Sequence, residues 1–309
     1  KNVMVKSMSL DDIKLSIGLP VFNGEKFLKK CLDSVLEQTF ENFELIISDN
    51  ASTDNTEKIC REYENKDKRI RYIRQKENIG LLQNFNFVFS EAKNEYFMWI
   101  GVDDYILPEY CKKNLEILQS NSNVVVSVSS IKQYNFSTQI DKIDSKFIEF
   151  TKILRNRFKK LNAFSIYGTY DEKVRKYLTG STCQIIYGIF RTKELKKSIL
   201  TSFFVGFDWA EMLTIMKFGD VHVLNDVLMY EYEGGRSTGG ILHIAKTYNP
   251  NFFSTIFPWY PFTRISLKIL GTKIFSKNLD YFIKLNFEGF IAQIIDLLRI
   301  FTRNFVKKT

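Results

Sequence analysis

The feature that most constrains this chain is the alternation of two hydrophobic periods over its first 130 residues. Short apolar runs such as "LSIGLP" (15–20) and "FELIISD" (43–49) have the length of buried strands. Between them, "EKFLKKCLDSVLEQ" (25–38) spaces its apolar residues as one face of a helix requires. Strands and helices that alternate through short connections form right-handed βαβ units. We therefore predict an α/β fold with a doubly wound, mostly parallel, Rossmann-like sheet.

The alternation stops near residue 130 and returns later in a less regular form. The run "CQIIYGIFRT" (183–192) predicts a strand, and "FDWAEMLTIMKF" (207–218) predicts a helix. Two further strands are predicted at "VHVLND" (221–226) and "LMYEYEG" (228–234). Between residues 131 and 180 the sequence is mixed and polar, which predicts an insertion over one edge of the sheet.

Composition then divides the chain into three parts. Residues 14–130 carry the regular pattern and 131–240 the weaker one, and together they are predicted to form one domain with two halves. From residue 241 to residue 309 the sequence becomes aromatic and basic, which predicts a helical extension. The net charge is +9, and this extension alone holds ten Lys and Arg against three Asp and Glu. A nucleic-acid-binding protein usually spreads its basic residues over a folded face, so no nucleic-acid partner is expected and an anionic surface is favoured.

The cysteines and histidines limit the available chemistry. The four cysteines form no C-x-x-C pair, so neither zinc nor a disulfide framework is indicated and a reducing, cytoplasmic location is expected. Only two histidines occur, which disfavours histidine-based metal or triad chemistry. Because no signal-peptide core and no run of about 18 apolar residues is found, neither export by a signal peptide nor a membrane span is expected. Carboxylates remain as the groups for catalysis.

Polar side chains follow three strands of the predicted sheet. The first strand leads into "PVFNG" (20–24), the second ends in Asp49, and the fourth leads to Asp103 and Asp104. Ligands of open α/β sheets bind beyond the carboxyl ends of the strands. Turn formation or helix capping explains one such end, but three in one sheet indicate a binding site. Neighbouring carboxylates resist desolvation, and oxygen ligands of this kind suit Mg²⁺ or Mn²⁺ beside substrate phosphates.

The order and spacing of these motifs resemble one family. The stretch 16–56, "ENIGLLQNFN" (77–86) and "WIGVDDYILPEY" (99–110) together resemble the inverting glycosyltransferases of family 2, which have the GT-A fold. That family has a Pro-x-Tyr-Asn-like loop after the first strand and an Asp-x-Ser-x-Asp-like turn after the second. An Asn-x-Gly precedes a helix, and a D-x-D or D-D element closes the fourth strand. The resemblance is strong over 14–128 and weaker over 183–237.

The resemblance implies a role for each motif. The first loop lines the donor nucleotide, Asp49 contacts its base, and the Asn-x-Gly turn shapes the wall near the ribose. Asp103, with Asp104 beside it, meets the diphosphate and a divalent cation, Mn²⁺ or Mg²⁺. The implied donor-site residues are Pro20, Val21, Phe22, Asn23, Asp49, Ser52, Asn78, Gly80, Asp103 and Asp104.

This chain departs from the family's pattern in two of these elements. Gly101 stands where the family commonly has the first Asp of D-x-D, so the metal is held either more weakly or with compensation from Asp104. In many relatives a Tyr-Arg-x-His-like stretch helps the diphosphate to leave, but here both basic positions are acidic, Glu231 and Glu233. Arg236, on the glycine-rich loop "GGRSTGG", is the predicted substitute that closes over the diphosphate. A plain flexible connection is the alternative reading of this loop.

An inverting transfer needs a carboxylate that takes the proton of the acceptor hydroxyl. In the family this base is the Asp of a Glu-Asp-like motif that opens a helix, and "GFDWAEML" (206–213) resembles the motif with Phe207 in place of the Glu. Asp208 is therefore the predicted base. Glu211 lies on the same helical face and is the second choice. Alternatively, Asp208 has no catalytic role and only stabilises the helix, because an acidic residue in the first turn interacts favourably with the helix dipole.

The extension contains one long amphipathic pattern. Between residues 278 and 308, apolar residues recur at steps of three or four, and Lys284, Arg299 and Arg303 flank them. Such a helix either lies in the headgroup region of an anionic leaflet or docks on the protein's own core. The positive charge favours the first, so we expect peripheral attachment to the inner face of the membrane. The apolar positions are Ile283, Phe287, Phe290, Ile294, Leu298, Phe301 and Phe305.

These observations predict a glycosyltransferase of the hexosyltransferase type that moves one sugar from a nucleotide diphosphate sugar, with UDP favoured. The acceptor is expected to be a hydroxyl, with a lipid-linked or cell-surface glycan as the candidate. The absence of Gln-x-x-Arg-Trp argues against a processive synthase. Two alternatives stay open: a non-catalytic partner subunit that binds the nucleotide sugar, and a sugar-phosphate nucleotidyltransferase, which would need a glycine-rich basic loop after the first strand. The sequence leaves the oligomeric state open.

Overall fold

A computed structural model describes residues 12–134, 162–180, 184–232 and 252–306 of the chain. The strands are β1 (Leu15–Val21), β2 (Phe43–Asp49), β3 (Ile70–Arg74), β4 (Tyr96–Trp99), β5 (Tyr105–Ile106), β6 (Val124–Tyr134), β7 (Ile189–Arg191) and β8 (Asp220–Tyr232). The helices are α1 (Glu25–Leu36), α2 (Thr56–Lys66), α3 (Leu81–Ser90), α4 (Tyr110–Ser120), α5 (Tyr170–Gly180), α6 (Thr192–Leu195), α7 (Phe207–Ile215), α8 (Phe252–Ile256), α9 (Tyr260–Lys277) and α10 (Leu279–Val306).

The strands form one sheet in the order β3-β2-β1-β4-β7-β6-β8-β5. Strand β1 pairs in parallel with β2 and β4, β2 with β3, and β6 with β8. The short strands β7 and β5 pair antiparallel to their neighbours. All seven residues of β1 are buried, as expected of a central parallel strand covered on both faces. The predicted mostly parallel sheet is therefore confirmed.

Helices cover both faces of the sheet, which confirms the doubly wound arrangement. One core lies under α1, α2 and α4 and contains, for example, Leu28, Cys60 and Leu115. The second core lies on the opposite face under α3, α5, α7, α9 and α10 and contains Val88 and Leu213. The C-terminal helices thus share a core with the sheet. The predicted boundary at residue 240 stays a prediction, because 233–251 lie outside the described residues.

The structure corrects three local predictions. The run predicted as a strand over 183–192 contains a 3₁₀ helix (Gln184–Tyr187) before β7. The strand predicted to reach Asp104 ends at Trp99, and β5 follows as a separate two-residue strand. The two strands predicted at 221–226 and 228–234 are the single strand β8. Their apparent break is a bulge, because β6 advances by one residue where β8 advances from Leu224 to Val227.

The C-terminal helices form an extension that packs on α7. Helix α9 is kinked at Gly271, whose φ of 69° lies in the left-handed region. Helix α10 folds back after Asn278, with Phe282 and Leu285 buried against the second core. Across the described parts of the chain, no helix combines the length and apolar character that crossing a bilayer requires.

Candidate active site

The loops after β1 and β2 are fastened to each other. Ser52 Oγ accepts a hydrogen bond from the Asn23 backbone N–H (2.8 Å), and Thr56 Oγ1 accepts one from that of Gly24 (2.8 Å). In the other direction Asn23 Oδ1 accepts the Thr53 N–H (2.8 Å). Asn23 adopts a left-handed conformation (φ 52°), which asparagine tolerates better than most residues. The two predicted donor-site loops therefore form one continuous wall.

The first of these loops is also anchored to the sheet. Pro20 and Val21 are buried at the end of β1, and Phe22 is half-buried. The Val21 carbonyl accepts the Asn50 N–H (2.8 Å). Pro20 and Val21 thus fix where the loop begins, while Phe22 and Asn23 are the members of the motif that reach the surface.

Asn50 joins the loop after β3 to the same wall. Its side-chain nitrogen donates to Asn78 Oδ1 (2.9 Å), and its side-chain oxygen accepts the Ile79 N–H (2.8 Å). Asn78 Oδ1 also accepts the Gly80 N–H (3.0 Å), and Gly80 has a φ of 90° that favours glycine. The predicted residues Asn78 and Gly80 therefore lie beside the β2 loop, immediately before α3.

Asp49 is held by groups of the protein itself. Its side chain is 0% exposed. Oδ1 accepts the Ser52 N–H (2.8 Å), and Oδ2 accepts Tyr72 Oη–H (2.7 Å) and Arg74 Nη1–H (2.9 Å). Burial, followed by the hydrogen bond to Asp49, raises the pKa of Tyr72 well above its usual range. A nucleotide base that contacts Asp49 would therefore have to displace one of these partners or enter beside them.

The acidic pair after β4 is shaped by Gly101. Asp104 Oδ1 accepts the Tyr232 N–H (3.0 Å), which turns the carboxylate toward residue 101. A Cβ at position 101 would lie 2.5 Å from Asp104 Oδ2, a distance that real contacts do not reach. The carboxylate of Asp104 thus fills the space in which an aspartate at position 101 would begin. The departure at Gly101 and the presence of Asp104 are therefore physically linked.

The two aspartates are in an environment that disfavours their charge. Burial raises the pKa of Asp103, and burial together with the charge of Asp103 raises the pKa of Asp104 well above its usual range. Glu231 adds a further negative charge that acts on both. Within the described part of the chain, neither carboxylate has a Lys, Arg or His in an ion pair. A cation would relieve this accumulation of charge.

The residues fit a divalent cation in number and type. No group of three or more His, Cys, Asp or Glu is arranged to hold a metal among the described residues. Mg²⁺ usually needs only one or two protein carboxylates, since substrate phosphates and water supply the remaining oxygens. Asp103 and Asp104 provide that number of hard oxygen ligands, and a bound cation would favour their ionised form.

One cavity brings the acidic pair and the predicted base together. It has a volume of about 230 Å³ and opens between the β4–β5 loop, α3 and α7. Both aspartates of the pair line it, as do Asp208 and Glu211 of α7. The sequence-predicted catalytic and metal residues, which are about 100 positions apart, thus face one space. Its other lining residues are Leu82, Phe85, Asn86, Trp99, Gly101, Ile186, Tyr187 and Phe207.

The two carboxylates of α7 differ in their surroundings. Asp208 lies in the first turn and is half-buried. Glu211 is 2% exposed, and its Oε1 accepts the Leu200 N–H (2.9 Å). Burial raises the pKa of Glu211 to about 8, and the charge of Asp208 adds to this effect. Near neutral pH, Glu211 therefore holds a proton more readily than an ordinary carboxyl does.

Several residues of the site were not predicted from the sequence. Asn86 lines the cavity and donates a hydrogen bond to the Leu200 carbonyl (2.9 Å). Asn86 and Glu211 thus both bond to the backbone of Leu200. Trp99 donates from its indole nitrogen to the Phe85 carbonyl (3.1 Å) at the cavity wall. Phe85 and Asn86 lie in α3, at the end of the motif at residues 77–86, but the resemblance assigns no role to either residue. The predicted Arg236 lies outside the described residues.

Comparison with solved structures defines the class. S. aureus TarS 1-349 in complex with UDP-GlcNAc superposes with a TM-score of 0.54 at 19% identity, over 88% of this chain and 79% of that one. Mannosyltransferase PcManGT from Pyrobaculum calidifontis, solved with GDP-Man and Mn²⁺, gives 0.51 at 12% identity, over 92% of this chain and 86% of that one. At these identities the likeness concerns the fold, which is the GT-A fold of glycosyltransferases.

The family follows from the sequence match. Residues 16–176 match the family model described as glycosyl transferase family 2, and they make up more than half of the chain. The chain belongs to glycosyl transferase family 2, which confirms the predicted family of glycosyltransferase enzymes.

Curated relatives match shorter stretches. The glycosyltransferase GlyA of Streptococcus pneumoniae is 39% identical over 103 residues, which cover 33% of this chain and 14% of GlyA. GlyG of the same organism is 32% identical over 135 residues, or 43% of this chain and 42% of GlyG. The chain thus matches less than half the length of either relative.

Proposed function

We propose that this chain transfers one sugar from a nucleotide diphosphate sugar to an acceptor hydroxyl with inversion at the anomeric carbon. The observation that carries the proposal is the shared cavity, which is lined by the β4–β5 acidic pair and by Asp208 of α7. Transfer requires a place for the leaving diphosphate and a base for the acceptor within the span of one sugar. A cavity of about 230 Å³ that is lined by carboxylates from two separate elements supports this arrangement.

The donor half of the site is proposed to be the wall made by the loops after β1, β2 and β3. Phe22, Asn23 and Ser52 lie along it, and Asn78 and Gly80 continue it to α3. Asp49 stays the proposed contact of the nucleotide's base. Its Oδ2 atom already accepts hydrogen bonds from both Tyr72 and Arg74. UDP is the favoured nucleotide because the structural neighbour TarS was solved with UDP-GlcNAc, although PcManGT was solved with GDP-Man.

Asp103 and Asp104 are proposed to hold Mn²⁺ or Mg²⁺. When bound, such a cation neutralises charge on the diphosphate leaving group. The protein contributes the geometry: Tyr232 N–H fixes the Asp104 carboxylate, and Gly101 leaves room for it. Asp104 thereby compensates for the aspartate that the family commonly has at position 101. Arg236 is proposed to assist at the diphosphate from the glycine-rich loop.

Asp208 is proposed as the general base. It is half-buried, whereas Glu211 is 2% exposed, so burial opposes a charge on Asp208 less than it opposes one on Glu211. It accepts the proton of the acceptor hydroxyl while that oxygen attacks the anomeric carbon. Glu211, which burial keeps protonated, can instead donate a hydrogen bond into the cavity. The acceptor is proposed to be a lipid-linked or cell-surface glycan.

A nucleotide titration tests the donor site. The protein is melted with UDP, GDP and dTDP, each with and without Mn²⁺, and the series is repeated on Asp103→Ala. A ligand that binds only the folded state raises Tm by mass action. We expect a rise with UDP that needs both Mn²⁺ and Asp103. No rise with any nucleotide would overturn the proposed donor site and leave the acidic pair a structural feature.

A further inference from the structure

Helix α10 packs on the protein with only one of its faces. Phe282 and Leu285 are buried in the core shared with α7 and α9. Ile283 and Phe287 are 62% and 63% exposed, and both belong to the apolar stripe of the sequence. Docking of α10 on the protein therefore leaves this part of the stripe, Ile283 and Phe287, in water. Contiguous exposed apolar surface of this kind commonly marks a binding surface.

Aromatic residues before α9 extend the exposed stripe. Phe253 is 58% exposed, and its ring centroid lies 6.1 Å from that of Phe257 and 5.4 Å from that of Tyr260. The Phe257 ring stacks in turn on Phe290 of α10 at 5.8 Å. Rings thus connect α8 and α9 to α10. We define the hairpin surface as Phe253, Phe257, Tyr260, Ile283, Phe287 and Phe290.

A groove beside the hairpin surface is lined mainly by apolar side chains. It has a volume of about 340 Å³ and lies between α9 and α10, with Ile283 and Phe287 among its lining residues. Its polar residues are Thr263 and Asn286, and Asn286 donates from its side chain to Thr263 Oγ1 (2.7 Å). Asn286 also donates to the Phe282 carbonyl (2.8 Å), and Thr263 donates to the Trp259 carbonyl (3.0 Å), so the N–H and O–H donors of these side chains bond within the protein. The remaining lining residues are Phe257, Leu279, Phe282, Ile283 and Phe287, which offer mainly hydrocarbon to an occupant.

Basic side chains lie at the margin of this surface. Lys284 is adjacent to Ile283 and its side chain is 72% exposed; Glu288, 3.8 Å away, is its partner. On α9, Arg264 and Lys268 are exposed one and two turns after Tyr260. Residues 241–309 carry ten Lys and Arg against three Asp and Glu. A second copy of this chain would bring the same positive charge, whereas an anionic lipid surface offers both hydrocarbon and negative charge.

We propose that the hairpin surface docks this protein on an anionic lipid bilayer. Phe253, Ile283 and Phe287 enter the boundary between headgroups and acyl chains, and Lys284 and Arg264 contact the anionic headgroups. Aromatic residues such as Tyr260 suit this interface because they are apolar with a polar tip. The inference does not depend on which sugar is transferred.

Sedimentation of the full chain with vesicles tests the proposal. The probes are vesicles of phosphatidylcholine alone and vesicles with about 30% phosphatidylglycerol. The test variant is Ile283→Glu with Phe287→Glu, whose exposed positions allow normal folding. The matched control is Phe218→Glu with Val227→Glu, which are 39% and 40% exposed and lie outside the hairpin surface. A third variant, Lys284→Glu, reverses one marginal charge.

We expect binding to the anionic vesicles and little to the neutral ones. The double variant should bind at least about tenfold more weakly and Lys284→Glu about fivefold more weakly, while the control binds as the wild type does. Equal binding by the double variant, or no binding to anionic vesicles, would overturn the proposal. So would a dimer in sedimentation velocity that the double variant abolishes, because a second copy would then cover the surface. The nucleotide-dependent rise in Tm, measured on the same variants, reports separately on the donor site.

Discussion

The indole of Trp259, between α8 and α9, packs against that of Trp209 with a centroid distance of 5.0 Å and an angle of 33° between the ring planes. Trp209 directly follows Asp208, so the extension contacts the first turn of the helix that carries the proposed base. Glycines make room on both sides of this ring. A Cβ at Gly206 would lie 2.7 Å from Trp259 Cζ3, and one at Gly289 would lie 2.5 Å from its Cδ1. We therefore expect the extension to help to position Asp208.

Trp259→Ala should reduce kcat more than it reduces nucleotide binding. Removing the indole leaves a cavity against Trp209 that costs about 2–3 kcal/mol of unfolding free energy and loosens the start of α7. UDP binding with Mn²⁺ should change little, because Asp103 lies on a different loop. Trp259→Phe, which retains a ring, should restore most of the rate. A parallel loss of UDP affinity and rate in Trp259→Ala would mean that the residue only supports the fold.

Gly101→Asp should not improve metal binding, although it restores the D-x-D motif that the family commonly has. The new side chain would meet Asp104 Oδ2 at 2.5 Å and add charge beside two carboxylates whose pKa values are already raised. We expect a loss of about 1–3 kcal/mol in unfolding free energy. Gly101→Ala separates the steric effect from the charge. Calorimetric titration with Mn²⁺ and UDP would contradict this account if Gly101→Asp bound the ion more tightly than the wild type.

Asp49→Asn should destabilise the fold even without ligand. The variant loses the charge that pairs with Arg74 and weakens a buried set of three hydrogen bonds, which we expect to cost about 2 kcal/mol. Asp54→Asn is the matched control, since Asp54 also accepts backbone N–H groups but is more exposed. Urea unfolding should show a clearly smaller loss for the control. Equal losses in unfolding free energy would contradict the prediction, because they would show that the buried position of Asp49 adds nothing to its contribution to stability.

The raised pKa of Glu211 predicts that the stability of the protein falls as the pH rises. Its pKa is about 8 in the folded protein, above the usual value of an unfolded glutamate. Between about pH 4 and 8 the folded state binds more protons than the unfolded state, so stability falls as pH rises through this window. Glu211→Gln mimics the protonated form and removes the contribution of Glu211 to this dependence.

Unfolding of the ligand-free protein in a chelator checks this prediction. At pH 8 we expect Glu211→Gln to exceed the wild type in unfolding free energy by a few kcal/mol. The difference should shrink as the pH is lowered toward about 4, where the wild-type carboxyl is protonated in both states. A difference that does not change with pH would contradict the burial-raised pKa.

The sheet could be predicted well because its signal is periodic. The apolar runs of β1 and β2 and the stripe of α1 belong to regular βαβ units, in which local pattern and tertiary burial agree. Prediction failed in the later strands. Asn225 and Asp226 have the composition of a turn, yet they form a bulge within β8, because pairing with β6 on both sides outweighs local preference.

From the residues alone, the candidate site could be predicted only where a side chain is chemically conspicuous, whereas Pro20, Asn78 and Gly80 are implied by the family resemblance. Asp103, Asp104 and Asp208 are acidic groups at the ends of apolar elements, and they line one cavity. Asn86 could not be predicted, because its role depends on the Leu200 carbonyl, which is 114 positions away in the chain. The buried state of Asp49 could not be predicted either, since it depends on Tyr72 and Arg74 from the neighbouring strand.

The most direct test of the proposed function compares wild type, Asp208→Asn and Asp103→Ala in two assays. UDP release from a panel of UDP-sugars measures turnover without a known acceptor, and Tm with UDP and Mn²⁺ measures binding. Loss of a general base should lower turnover about 10²–10⁴-fold in Asp208→Asn. That variant should keep its UDP-dependent rise in Tm, whereas Asp103→Ala should lose both. Turnover by Asp208→Asn at the wild-type rate would contradict the assignment of the base, and turnover by none of the proteins would favour a non-catalytic subunit.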